Sequence, residues 1–149
     1  MPYQVKPPDS EVYTLDETDT KFGIQGERTF VAIREATHAE DKQRSSLFAE
    51  ITRIMDPTGA NQLKISQSLN SDELVEMDIY LTLSDSNLTD YDGGALFHFK
   101  QVGSVKKLDM NLADFKAALG KLSGFIVDEI HAKVALKNPD WFGPLGKAS

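Results

Sequence analysis

The chain has 149 residues, a hydrophobic fraction of 40%, eight Phe and a formal net charge of −7, which suits one domain with a core of its own. It has no cysteine, and this excludes thiolate nucleophiles, disulfides and cysteine-ligated zinc. No apolar run approaches the roughly 20 residues needed to span a membrane, and the acidic balance repels phosphate backbones, so neither membrane nor nucleic acid is an expected partner.

Residues 1–10 carry Pro2, Pro7 and Pro8 and no apolar core of a secretory signal, so an extended arm and cytoplasmic synthesis are expected. Val12, Tyr13 and Leu15 read as a strand, and the polar run 16–20 as a turn. Phe22 and Ile24 lead to a second turn at 25–28. Residues 29–34 (Thr-Phe-Val-Ala-Ile-Arg) have the β-branched and aromatic content of a buried strand.

Thr37-His38-Ala39-Glu40 is a capping box. It opens a helix whose apolar stripe is Leu47, Phe48, Ile51, Ile54 and Met55, stopped by Asp56-Pro57-Thr58-Gly59. Leu63 and Ile65 alternate as a short strand would. Asn70-Ser71-Asp72-Glu73 resembles a helix start, with acids at the positive end of the dipole. Residues 74–83 fit two periods: Leu74, Met77 and Leu81 recur as in a helix, whereas Met77, Ile79, Leu81 and Leu83 alternate. The cap and the length favour helix. Residues 90–94 (Asp-Tyr-Asp-Gly-Gly) form a turn and 95–99 a strand.

Asn111 can cap a helix with apolar positions Leu112, Phe115, Leu119 and Leu122. Gly120, Ser123 and Gly124 interrupt it, and Phe125, Ile126, Ile130 and Val134 continue the period until Asn138-Pro139. The expected fold is α+β: a small N-terminal antiparallel strand group with an amphipathic helix, and a C-terminal α-helical hairpin. Residues 1–149 form a single domain with an arm at 1–10 and a loose tail at 143–149.

The charge is unevenly placed. Residues 65–99 hold Asp72, Glu73, Glu76, Asp78, Asp85, Asp90 and Asp92 and no Lys or Arg. Asp85, Asn87, Asp90 and Asp92 offer hard oxygens near glycines, but their spacing differs from the calcium loop, and turn chemistry explains them better. The histidines, His38, His98 and His131, form no zinc-binding pair in sequence. The serines and glycines form neither a nucleophile elbow nor a phosphate loop. No catalytic residue, metal ligand or cofactor site is assigned. The candidate partner-binding residues are Asp85, Asp90 and Asp92 as an acidic docking face, and Trp141 and Phe142 as aromatic anchors at a helix exit. For Trp141 a place in the core outweighs an exposed one, with Phe142 and the tail more suited to touch a neighbour.

Two segments resemble small structural and assembly proteins of tailed bacteriophages, especially tail-assembly chaperones and neck or tail components. One is residues 30–37 (Phe-Val-Ala-Ile-Arg-Glu-Ala-Thr) with the charged helix through Arg44. The other is residues 115–122, then Val127-Asp128-Glu129-Ile130 and Asn138-Pro139-Asp140-Trp141. Together they cover about half the chain. The resemblance implies a non-enzymatic protein acting through contacts with other phage structural or tail proteins, as a homo-oligomer or ring. Its place would be the host cytoplasm during assembly, or the virion. A small acidic cation-binding or enzymatic domain and a bacterial regulatory adaptor are the alternatives.

Overall fold

Val31, Ala32 and Ile33 are consecutive and all buried. Successive strand residues face opposite ways, so this strand is covered on both faces and must lie inside the sheet. The computed structural model, which describes residues 2–55 and 72–142, shows why. Strands β1 (Ser10–Thr14), β2 (Phe30–Arg34) and β3 (Leu83–Ser86) form an antiparallel sheet in the order β1-β2-β3. Val12 pairs with Ala32, and Ala32 with Asp85. The β2–β3 register shifts at Ala32/Ile33, leaving Ser84 as the extra residue of a bulge. Its hydroxyl donates to the Ala32 carbonyl at 3.2 Å and lies 2.7 Å from the Ser10 hydroxyl, which ties the two outer strands across the middle one.

The five α-helices of the described residues are α1 (Asp16–Phe22), α2 (His38–Met55), α3 (Asp72–Thr82), α4 (Leu112–Leu119) and α5 (Gly124–Lys137), followed by a 3-10 turn at Pro139–Phe142. The fold is therefore α+β, with N-terminal strands and C-terminal helices as expected. Phe115, Ile79, Ile33, Ile130 and Val134 are fully enclosed between sheet and helices. Each such side chain contributes about 1.5–3 kcal/mol by leaving water. Phe97 stacks on Phe115 at 5.4 Å, and Tyr80 meets the same ring at 5.2 Å.

Local signals account for several element ends. Thr37 and Glu40 form the reciprocal cap: the Thr37 N–H donates to the Glu40 carboxylate at 2.8 Å, and the Glu40 N–H to the Thr37 hydroxyl at 3.3 Å. Asn111 caps α4 by accepting from the Asp114 N–H at 2.8 Å, and Ser123 caps α5 through the Ile126 N–H at 3.4 Å. Between these caps, residues 120–123 separate α4 from α5, and the two helices each pack on α3 rather than on each other as the expected hairpin. The side chains of Phe48 and of residues 51–55, the helix stop at 56–59, the strand at 63–65 and the start at 70–71 lie outside the described residues.

Two further expectations are corrected, at residues 16–20 and 95–99. Residues 16–20 are not a turn but most of α1, since Glu129 caps this helix from across the fold and Gly23, at φ +67°, ends it in the left-handed conformation. The helix favoured for residues 74–83 is found as α3: it runs to Thr82, whose hydroxyl donates back to the Asp78 carbonyl, and Leu83 opens β3 directly. The strand placed at 95–99 lies further on, as β4 (Phe99–Val102) paired with β5 (Val105–Leu108). Only Ala95 of the earlier residues makes a ladder contact, with Thr89. Gly103 has φ +63° and Ser104 has no positive φ, so the two-residue loop is of the II′ kind, with glycine at the position that demands it.

Candidate functional site

The polar centre of the molecule is built on Asp78. It lies four residues after Leu74 and three after Val75, on the side of α3 that faces the other helices, and it is fully buried. An isolated carboxylate there would be prohibitively costly. Arg44 of α2 satisfies it, Nε donating to one oxygen at 2.6 Å and Nη2 reaching the other at 3.4 Å. His131 of α5 places Nε2 3.0 Å from the second oxygen. One carboxylate thus joins three helices that are distant in sequence.

Aromatic side chains roof this network. The Arg44 guanidinium lies 5.0 Å from the Trp141 ring centre and 5.7 Å from that of Phe142, within cation–π range. Phe142 meets the His131 ring edge-on at 5.5 Å. The Trp141 indole N–H donates to Asp41 at 2.5 Å. Asn138, buried at the end of α5, fixes this exit: its side-chain oxygen accepts from the Ala36 N–H at 2.8 Å and its amide donates to the Arg34 carbonyl at 3.1 Å. Trp141 packs against the hydrophobic core while half-buried.

A groove of about 620 Å³ runs along the outer side of α3, α4 and α5. Val75, Leu119, Leu122 and Val127 supply its apolar floor, and Asp72, Glu76 and Asp128 its acids, with Lys116 and His131 also on its wall. Burial, reinforced by Asp72 and Glu73, raises the Glu76 carboxyl above its ordinary range, against the pull of Lys116. An imidazole held by a carboxylate can exchange a proton. Here Arg44 shares the carboxylate, and the bonds link α2, α3 and α5, so the arrangement positions three helices.

The acidic candidates each have a partner within the molecule. Asp85, on β3, pairs with Lys106 at 2.9 Å. Asp90 accepts from Lys121 at 2.8 Å, which holds its carboxyl below the ordinary range and raises the Lys121 ammonium. Asp92 accepts from the Gly94 N–H at 2.8 Å within the turn. Among the described residues no three His, Asp or Glu side chains are grouped as metal ligands, and no helix is long and apolar enough to cross a membrane.

Asp78, Arg44, His131 and Glu129 escaped sequence reasoning. The signal was present: Asp78 follows Leu74 by four residues and Glu129 follows Ile126 by three, so each acid stands at apolar helical spacing.

No protein-family model, curated protein or solved structure matches the chain.

Proposed function

We propose that the protein is a non-enzymatic interaction subunit of tailed-phage particle or tail assembly. The resemblance supplies the class, and one observation supports action through protein contacts. Strand β1 lies at a sheet edge with Val12 64% exposed, and the arm before it presents Tyr3 at 83% and Val5 at 86% exposure. An extended apolar arm beside a strand edge that is unpaired among the described residues is suited to strand addition by a neighbouring chain, in which main-chain hydrogen bonds give affinity and alternate side chains give specificity.

The test is co-expression with the products of neighbouring genes, followed by light scattering on the purified material. The chain should co-purify with a tail-tube, neck or tape-measure protein, or form a closed ring, and deletion of residues 2–8 should abolish the association while the fold survives. A chain that stays monomeric and ignores all such partners would overturn the reading.

A further inference from the structure

We infer that the groove between α3, α4 and α5 is a docking site for the apolar face of a basic amphipathic helix of a partner protein. The inference deepens the interaction-subunit reading and rests on it only for the partner's being a protein.

Charge bookkeeping within the molecule points to this face. Of the acids in the 65–99 window, Asp78, Asp85 and Asp90 are neutralised by Arg44, Lys106 and Lys121. Among the described residues, Asp72, Glu73, Glu76 and Asp128 take part in no salt bridge, and three of the four line the groove. The groove therefore sets three carboxylates without a salt bridge beside its apolar floor, against the ammonium of Lys116 on its wall. Glu76 is partly desolvated by that floor, and its carboxylate is destabilised by burial and by its acidic neighbours. A cation brought alongside would relieve both effects.

Geometry selects the form of the occupant. Asp72 and Glu76 stand four residues apart on α3, so they share a face about one turn apart, while Asp128 lies on α5. A partner helix with apolar residues at i, i+3, i+4 and i+7 would set these on Val75, Leu119, Leu122 and Val127. Lys or Arg flanking that seam, four residues apart on one side, would meet Asp72 and Glu76. The groove volume falls within the range of pockets that enclose ligands.

The probe is a fluorescein-labelled amphipathic Leu/Lys helix, compared by anisotropy with a peptide of the same composition whose leucines are scrambled off one face. The full chain should bind the first saturably and the second weakly. E76K/D128K should weaken binding about tenfold or more, whereas E17K/E27K, an equal change of net charge elsewhere, should not. If E76K/D128K fails to fold by circular dichroism, E76Q/D128N should still weaken binding about threefold. Equal binding of both peptides, or equal binding by wild type and the groove variants, would overturn the inference. So would a homodimer of the free chain that E76K/D128K dissolves, since the occupant would then be a second copy. Deletion of residues 2–8 should leave peptide binding unchanged. A full chain that ignores every phage partner yet binds the peptide would therefore refute the assembly role and leave the groove assignment standing.

Discussion

Glu129 on α5 caps a helix more than a hundred residues earlier in the chain: its Oε1 accepts from the Thr18 N–H at 2.8 Å and from the Thr18 hydroxyl at 2.6 Å. Its other oxygen accepts from the Glu17 N–H at 3.0 Å. Helix α1 begins after Leu15, which has no side-chain acceptor. The free N–H groups of its first turn are thus satisfied by a carboxylate at the positive end of the dipole. Glu129→Ala should leave three donors without their partner and cost about 2–4 kcal/mol. Urea melts of Glu129→Ala and Glu129→Gln check this, and Gln should recover part of the loss because it keeps an acceptor.

The Asp78 network predicts a non-additive pair. Asp78→Asn strips the half-buried Arg44 of its counter-charge at a fully buried position and should destabilise by about 3–5 kcal/mol. Replacing both partners with apolar residues, Asp78→Leu with Arg44→Met, should cost much less than the sum of the single changes. A double-mutant cycle by equilibrium denaturation measures the coupling.

Trp141 is half-buried, hydrogen-bonded to Asp41 and stacked near Arg44. Trp141→Ala should therefore cost about 2–3 kcal/mol in the isolated chain, below the 3–5 kcal/mol of a fully enclosed tryptophan. Phe142→Ala loses the edge contact with His131 and should cost about 1 kcal/mol. A Trp141→Ala chain that melts like wild type but fails to assemble would move this side chain from the fold to an interface.

The Glu76 carboxyl has a pKa above its ordinary value because burial and Asp72 and Glu73 oppose its charge. The folded state holds this proton more tightly than the unfolded chain. The stabilisation is thus full below the unfolded pKa and fades as pH rises through the folded value. Glu76→Gln should accordingly be more stable than wild type at neutral pH, with the difference vanishing on acidification through the Glu76 pKa. Thermal melts between pH 3 and 8, the range that brackets carboxylate titration, record the crossover. A constant difference across that range would remove Glu76 as the titrating group.

Much of the fold is legible in local chemistry. The capping box of Thr37 and Glu40, the Asn111 cap and the Gly120–Gly124 interruption each act within a few residues, so the sequence determines where α2 begins, where α4 begins and ends, and where α5 begins. The β-branched run at 30–34 and the stop at Asn138-Pro139 are equally local. Tertiary structure decided the rest. Residues 16–22 are polar and lack a cap of their own, and they become a helix only because Glu129 arrives from α5. Residues 74–83 satisfy both helical and alternating patterns, and they fold as helix to Thr82, packed on α2 and α5 with Asp78 held by Arg44 and His131. The acidic window looks like one charged face in sequence, yet folding neutralises Asp78, Asp85 and Asp90 with cations from three separate elements and leaves Asp72 and Glu76 facing Asp128 across a groove. Propensity and capping are short-range and can be read in order along the chain, whereas the fate of a charge depends on which distant group the fold brings within a few ångströms of it.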